Sequence, residues 1–472
     1  MVFPDAVAIY VKRCPGVSVN KFRAALPSST IVSPSAHIQL QLPSVDALDL
    51  RSLQILCDVS TANSTGGPFV LPRYGIQMGV ESSTMVIGGR SVGGQANQYY
   101  NIWNYIKQEY GAGMQEQPQM SVLGGGADIP PIASTAGTSY TTDCNGTQTP
   151  PALTAYTNTN WALSSQTNSL VTGVNQISKD GAGNVVYTGG LPQIIEVFNE
   201  TCESLVPLMF PSFLVQQSYI DLGFAAPNFL IGTSGTAGAG NPTYNVANIV
   251  MQGTVYALGD QFRSFHQSYI QQGNLLEMPF KSVQAWPGSL NASGIDTNLQ
   301  FSVGTQSLDM LVACFLDQNY RQWGPVAAGT NTSKYFTLGK GTGIRSMNWS
   351  INGQLNPAFQ VTPRAAWGQT LTDTNLWTAG RGVYKNLNSF SAYLTKWFVW
   401  FYSTSIPFAE SLQHAISGLD TANANATLAL TVQSDPTNVA NGAESYSNYP
   451  LIYAVTSPSL LVGQGGQVSV RV

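Results

Sequence analysis

The chain has 472 residues, a net charge of −4 and a pI near 5.4, and only 9% of its residues are charged. The acidic balance excludes a general attraction to nucleic acid or to anionic membranes, and the 10% aromatic content excludes a disordered chain, because aromatic side chains supply surface to bury. Soluble domains carry about 25% charged residues, so this surface gives copies of the chain little mutual repulsion and favours self-association.

The N-terminal residues 1–30 are predicted to form an arm. They contain Lys12, Arg13, Lys21 and Arg23, so the arm is either simply solvated or reaches a neighbouring subunit, a lipid surface or packaged nucleic acid. The first residues lack the charged-then-apolar layout of a secretory signal. The five cysteines are widely spaced and form no metal-binding pattern, which favours synthesis in a reducing, intracellular compartment.

Apolar and polar residues alternate along much of the chain, with the period of a half-buried β-strand. The clearest strand patterns cover residues 37–42, 426–432 and 467–472. Helical patterns are few, and they cover residues 99–110, 192–206 and 262–272. Many strands, long loops and few helices predict an all-β chain built from β-sandwich or jelly-roll domains.

A stretch rich in glycine and threonine at residues 232–243 is the best candidate for a domain boundary. It predicts a first jelly-roll domain over residues 31–235 and a second over residues 240–472. The longest loops are expected at about 124–160, 284–300 and 326–345, where glycine, asparagine and threonine are frequent.

Several short motifs follow one another in a fixed order. A leucine-rich run after an aspartate occupies residues 38–59, and residues 80–105 combine a strand, a glycine pair and an aromatic helix. A long strand followed by a helix lies at 246–270, Asn-Gly ends a strand within 347–354, and a strand pair around glycines closes the chain at 453–472. The motif positions are Ile87, Gly88, Gly89, Gln95, Ile102, Trp103, Asn104, Asp260, Arg263, Asn352, Gly353, Ser417 and Gly418.

This ordered set resembles the double jelly-roll major capsid proteins of nucleo-cytoplasmic large DNA viruses, virophages and polinton-like viruses. The resemblance extends over most of the chain. It departs from the family pattern near Ser417 and Gly418, because the proline expected before them is missing. The resemblance implies two consecutive jelly-roll β-sandwich domains with a few short helices in loops.

The resemblance also implies a structural role in the virion. Three copies would form a homotrimer, a pseudo-hexagonal capsomer of six jelly rolls that tiles an icosahedral shell around a DNA genome. The implied partners are neighbouring capsomers, minor capsid or penton proteins and cement proteins, with an inner membrane or packaged DNA as possible contacts of the N-terminal arm. The long loops would form outer towers. Synthesis and assembly would take place inside the host cell, without a catalytic residue, cofactor or metal.

Enzymatic readings of the chain are less well supported. Ser91 in Gly89-Arg90-Ser91-Val92-Gly93 could be a nucleophile elbow with His266 or His414 as base, but glycines follow where the helix of an elbow should begin. The Gly-Lys-Gly-Thr-Gly run at 339–343 lacks the end of a phosphate-binding loop. The glycine pair at Gly88 and Gly89 is better explained by a hairpin turn at positive φ.

Two further groups of residues are better explained by structural roles than by binding sites. Glu196, Glu200 and Glu203 could share one face of the helix predicted over 192–206, where a solvated face is favoured over a metal site. Trp103 and Trp397 are each expected to hold their own sandwich together rather than to perform chemistry. Two alternatives remain open: a minor capsid or vertex protein of the same fold, and a β-sandwich protein that binds or hydrolyses carbohydrate.

Overall fold

A computed structural model describes most of the predicted strands and helices. The described residues are 17–27, 30–63, 69–70, 75–92, 99–111, 177–179, 185–187, 191–196, 208–209, 211–232, 242–288, 296–316, 323–327, 330–333, 341, 343–378, 390, 393–394, 398–405, 418–422, 427–435 and 449–472.

The first half of the chain contains thirteen described strands and one α-helix, α1 (Tyr100–Gly111). The strands are β1 (Val17–Ala25), β2 (His37–Gln41), β3 (Ala47–Asn63), β4 (Phe69–Val70), β5 (Val80–Ile87), β6 (Arg90–Val92), β7 (Ile177–Lys179), β8 (Val185–Tyr187), β9 (Leu191–Glu196), β10 (Leu208–Met209), β11 (Tyr219–Phe224), β12 (Ile231–Gly232) and β13 (Pro242–Leu258).

The second half contains thirteen more strands and two α-helices, α2 (Asp260–Gln271) and α3 (Pro363–Thr378), in its described part. The strands are β14 (Leu276–Pro279), β15 (Ser282–Pro287), β16 (Thr297–Ser302), β17 (Leu308–Leu316), β18 (Trp323–Ala327), β19 (Thr330–Ser333), β20 (Ile344–Ile351), β21 (Gln354–Val361), β22 (Val399–Ser403), β23 (Thr427–Ser434), β24 (Tyr449–Thr456), β25 (Ser459–Val462) and β26 (Val468–Arg471). Short 3-10 helices lie at Gly75–Gly79, Pro211–Phe213, Pro227–Phe229 and Gln464–Gly466.

The second half forms a complete jelly roll. Its two four-stranded antiparallel sheets have the orders β15-β24-β17-β22 and β16-β23-β20-β21. Among these eight strands the first therefore pairs with the last, the second with the seventh, the third with the sixth and the fourth with the fifth. This is the pairing of one long hairpin rolled into a two-sheet sandwich, which is the jelly-roll arrangement.

The first half also consists of antiparallel sheets, and its longest strands, β3 and β13, have 17 residues each. One sheet has the order β2-β11-β5-β6, and the other has the order β1-β13-β3-β10 with β9 also on β3. Strand β1, within the predicted N-terminal arm, is paired along its whole length with β13. Strand β13 lies beyond the predicted domain boundary, yet it pairs with β3 of the first half. This sheet of the first half therefore continues to Leu258, past the predicted boundary.

Burial follows the predicted alternation. In β2, Ile38 and Leu40 are buried between exposed neighbours, and in β23 Leu428, Leu430 and Val432 are buried. In the last strand Val468 is buried, whereas Val472 lies past the end of β26 and is exposed. The alternation of apolar and polar residues therefore predicts which side chains of these strands are buried, except at Val472, which lies beyond the end of the strand pair.

The core of the second jelly roll contains a pair of stacked indoles that join its two sheets. Trp349 of β20 and Trp400 of β22 are fully buried, with ring centroids 5.2 Å apart. Trp400 also donates a hydrogen bond of 2.8 Å to Oε1 of Gln369 on α3. The aromatic run at 396–402 is thus a core strand in its described part.

Helix α3 covers the outer edge of β22. The hydroxyl of Thr370 donates to the Val399 carbonyl at 3.0 Å and accepts from the Phe401 amide at 3.3 Å. The phenol of Tyr393 donates to the same carbonyl at 2.9 Å. An uncovered edge strand invites pairing with another chain, so α3 ends this sheet with side-chain hydrogen bonds.

Three sequence predictions are wrong in part. Residues 191–196 of the helix predicted over 192–206 form β9, because the β-branched Ile194 and Ile195 pair with β3. The predicted loop 284–300 begins and ends with strand residues of β15 and β16, where Ala285 and Trp286 pack against the core. The predicted loop 326–345 contains β19 and the start of β20. The third predicted loop, at 124–160, lies outside the described residues.

Candidate functional site

The best candidate for a functional site is the junction at which α1 packs between the two jelly rolls. The motif residues Ile102 and Trp103 are on this helix, and both are buried. Trp103 and Tyr110 are seven residues apart, so they lie on one face of the helix and about 10.5 Å apart along its axis. Both are fully buried in aromatic contacts with the second jelly roll.

The sheet surface that receives this face is one row of paired residues. Tyr453 of β24 and Phe401 of β22 both pair with Val312 of the central strand β17, so the three side chains point to the same side. Their outer members are two strand spacings apart, about 9.6 Å. This spacing matches the separation of Trp103 and Tyr110, and α1 therefore lies across three strands.

Ring distances confirm this match. The centroids of Trp103 and Tyr453 are 5.0 Å apart, and those of Tyr110 and Phe401 are 5.3 Å apart. The phenol of Tyr453 also donates a hydrogen bond of 2.9 Å to the carbonyl of Tyr99, next to the start of α1. Aromatic pairs at these distances contribute about 0.5–1.5 kcal/mol each beyond their buried area.

Helix α1 also contacts the first jelly roll, at β5 and at the 3-10 helix Gly75–Gly79. The motif residues Ile87, at the end of β5, and Asn104, on α1, are both fully buried. All nine residues of β17 are buried as well, so the sheet that contains it is covered on both faces. The junction is thus packed like a domain core.

A second contact of the two halves involves close approach of glycines. Gly88 and Gly89 form the turn between β5 and β6 at φ of 54° and 79°. A Cβ atom on Gly88 would lie 2.5 Å from Cγ2 of Val468, on the last strand of the chain. A Cβ atom on Gly466 would lie 2.0 Å from the Phe213 carbonyl oxygen. The glycines therefore allow the two halves to touch through their backbones.

A third contact is an ion pair at the start of α2. Arg263 donates a hydrogen bond of 2.6 Å to Oδ2 of Asp46, which also accepts from the Leu258 amide at 3.0 Å. The motif residue Asp260 is a weaker partner of Arg263, at 3.9 Å. Burial alone would raise the pKa of Asp46, but the hydrogen bonds from Arg263 and Leu258 outweigh it and hold that pKa below its ordinary value.

This pKa shift predicts a pH dependence. Since the folded-state pKa of Asp46 is lowered, its contribution to stability is present above the ordinary carboxyl pKa of about 3.9 and is lost as the pH falls toward the lowered value. Asp46→Asn should therefore unfold at lower urea concentration than the wild type at pH 7, and this difference should narrow below about pH 4. If urea titrations give the same stability difference between the wild type and Asp46→Asn at every pH, the pKa of Asp46 is not lowered in the folded protein.

Gly418, the motif glycine, fits against the start of β17. Its amide donates to the Ser307 hydroxyl at 2.6 Å, and the next residue, Leu419, forms a bridge to Leu308. A Cβ atom on Gly418 would lie 2.1 Å from the Leu308 carbonyl oxygen. Only glycine therefore fits this position without movement of the backbone.

Replacement of Gly418 should test this fit. We expect Gly418→Ala to lower the free energy of unfolding by about 1–3 kcal/mol, the usual cost of overpacking. Gly304→Ala is the matched control, because a Cβ atom there would meet nothing within 4 Å. Urea unfolding followed by circular dichroism measures the stability of both variants. Equal stabilities would contradict the tight fit of Gly418 against Leu308.

A buried ionic cluster lies beside Gly418. Lys281 pairs with Oδ2 of Asp309, and both side chains are more than 90% buried. The Ser307 hydroxyl donates to Oδ1 of the same aspartate at 2.8 Å, and Ser457 bonds both charged groups. The cluster connects the ends of β15, β17 and β24, which belong to one sheet, and its charges neutralise each other. We therefore assign it a structural role.

The other sequence candidates do not converge on a catalytic centre within the described residues. Ser91 is an exposed residue of β6, paired with Val86 in an antiparallel hairpin, so it does not occupy a strand-to-helix elbow. Glu196 lies in β9 and cannot share a helix face with Glu200 and Glu203. Asn352 and Gly353 form the β20–β21 turn, at φ of 52° and 78°.

Several candidates lie outside the described residues: Gln95, Glu200, Glu203, Trp397, His414 and Ser417. Cys57 and Cys314 are both buried, and burial raises the pKa of both thiols. In the described part of the chain no group of three or more His, Cys, Asp and Glu side chains could hold a metal ion. The same residues include no helix long and apolar enough to cross a bilayer.

Sequence reasoning found Trp103 but missed its partners. Tyr453 and Phe401 lie in ordinary strand patterns, and the row that they form with Val312 follows from strand register. Helix α3 was also missed, although Thr362 and Pro363 mark its start. The Thr362 hydroxyl accepts from the Ala365 amide at 3.3 Å, a capping arrangement that Thr-Pro before a helical run favours.

Comparisons with known proteins identify the fold. No protein-family model and no curated protein matches the sequence. The structure is similar to the PBCV-1 virus capsid (TM-score 0.54, 14% identity, 97% of each chain), the Sputnik virophage (0.53, 12%, 98% of this chain and 89% of the other) and the Faustovirus major capsid protein (0.51, 9%, 95% and 91%). The chain has the double jelly-roll fold of these capsid structures over nearly its whole length.

Proposed function

We propose that this chain is a major capsid protein, a structural component of a virus particle. The observation that carries the proposal is the pair of jelly rolls joined through α1, in a chain that aligns with nearly the full length of the PBCV-1 capsid chain. A shell protein must hold its sandwiches in a fixed relative orientation. The buried aromatic contacts of Trp103 and Tyr110 provide such a connection.

The arrangement suits a trimer with six jelly rolls. Each chain contributes two jelly-roll sandwiches, so three copies present six such units around a threefold axis and tile as a hexagon. Closed cyclic symmetry is the usual form of protein oligomers. The charge-poor composition supports large contacts between copies.

The proposal assigns a structural rather than a catalytic role. It places the protein in the virion after synthesis and assembly in the host cell, with neighbouring capsomers and penton or cement proteins as partners. Residues 17–25 of the predicted arm are paired within the chain as β1. Contact of the arm with a membrane or with packaged DNA would therefore depend on residues 1–16.

Electron microscopy of the purified protein tests the proposal. Class averages should show threefold particles with a hexagonal outline, and concentrated samples should form sheets or closed shells of these units. Single sandwich pairs without further symmetry at every concentration would contradict the major capsid role and favour a vertex protein of the same fold.

A further inference from the structure

Helix α2 has an exposed aromatic face, on which the ring of Phe265 also contacts that of the adjacent His266, with ring centroids 5.5 Å apart. Phe262, Phe265 and Tyr269 occupy positions i, i+3 and i+7, so they form one stripe along the helix. They are 37%, 64% and 40% exposed, and no residue of α2 is buried. Three large aromatic side chains on one exposed stripe indicate a docking surface.

The helix is nevertheless attached to the molecule. Arg263, on its inner side, bonds to Asp46 at 2.6 Å, and the Gly259 carbonyl accepts from the Phe262 amide at 3.0 Å. The aromatic stripe is therefore presented on a fixed helix that directly continues from β13.

The N-terminal segment of the chain starts from the same place. Val17, the first residue of β1, pairs with Leu258, only two residues before α2 begins. Residues 1–16 precede it, and residues 6–11 are an uninterrupted apolar run, Ala-Val-Ala-Ile-Tyr-Val. The five intervening residues reach about 17 Å when extended, and α2 is about 18 Å long. The run can therefore lie along the helix.

Charge also favours this pairing. Lys12 and Arg13 lie between the apolar run and β1, and the fully exposed carboxylate of Asp260 is at the start of α2. Because the segment is tethered beside the helix, its local concentration there is of order millimolar. A segment from a separate molecule in solution would bind without this advantage.

We propose that residues 1–16 dock on the Phe262, Phe265 and Tyr269 stripe of α2 in the same chain. The apolar run 6–11 covers the aromatic rings, and Lys12 and Arg13 lie near Asp260. The inference is independent of the capsid role, since it concerns a contact within a single chain.

Limited trypsin digestion of the full chain tests this contact, because docking protects the bonds after Lys12 and Arg13. The variant Phe262→Ser/Phe265→Ser/Tyr269→Ser should be cleaved there at least about tenfold faster than the wild type. The control Leu355→Ser/Phe359→Ser, which alters exposed apolar residues on β21, should be cleaved at the wild-type rate. All three positions in α2 are exposed, so the fold should survive the substitutions.

Hydrogen exchange supplies the reciprocal measurement. Deletion of residues 1–16 should increase amide exchange in α2, and protection of the wild-type helix should not change on dilution. Equal cleavage of the wild type and the α2 variant would overturn the proposal. So would protection of α2 in chains that lack residues 1–16 when they are co-assembled with full-length chains, which would identify a second copy as the occupant. Protection that appears only with phosphatidylcholine vesicles would identify lipid and would also overturn the proposal.

Discussion

Alanine in place of Trp103 should lower the free energy of unfolding by about 3–5 kcal/mol, the usual cost of truncating a buried tryptophan. The side chain is fully buried and contacts Tyr453 across the junction. Since domains are stable by only about 5–15 kcal/mol, this single change should remove a large part of the total. Urea unfolding at a fixed protein concentration, followed by circular dichroism, measures the loss.

The control for this prediction is Phe359→Ala. Phe359 is 57% exposed on β21, and its truncation should change the stability by no more than about 0.5 kcal/mol. A double-mutant cycle of Trp103→Ala with Tyr453→Ala should show coupling of about 0.5–3 kcal/mol. A stable Trp103→Ala variant without coupling would mean that α1 does not hold the two jelly rolls together.

Asp309→Ala should be similarly damaging, with a loss of about 3–5 kcal/mol, because it removes the buried carboxylate that pairs with the ammonium group of Lys281. The salt bridge between these residues is more than 90% buried on both sides. Removal of both partners in Lys281→Met/Asp309→Leu should restore most of the lost stability, since the uncompensated charge is then absent.

An exposed ion pair is the matched control. Arg471 and Glu277 join β26 to β14, with side chains that are 51% and 43% exposed. Arg471→Ala should cost no more than about 1 kcal/mol. If Asp309→Ala and Arg471→Ala lose similar amounts of unfolding free energy in the same urea titrations, burial does not determine how much the Lys281–Asp309 pair contributes to stability.

The parts of the fold that depend on local chemistry could be predicted from the sequence. The alternation of apolar and polar residues predicts strands β2 and β23. The helical patterns at 99–110 and 262–272 predict helices α1 and α2. The Gly88-Gly89 turn follows from the tolerance of glycine for positive φ. Residues 191–196 were predicted wrongly because short apolar runs fit a helix or a strand equally well, and pairing with β3 decides between them.

The junction could not be predicted in the same way. Tyr453, Val312 and Phe401 come from three strands separated by long stretches of sequence, and only the register of the sheet places them in one row. The Lys281–Asp309 pair likewise depends on the meeting of two strand ends. The double jelly-roll assignment came from the order of the motifs, which local patterns do not contain.

The solution mass of the purified protein tests the capsid account most directly. Light scattering after size exclusion should give three times the chain mass of 50.4 kDa, about 151 kDa, and this mass should persist on dilution because trimer contacts of capsid size bury a large area. A stable species of one chain mass at all concentrations would contradict the account.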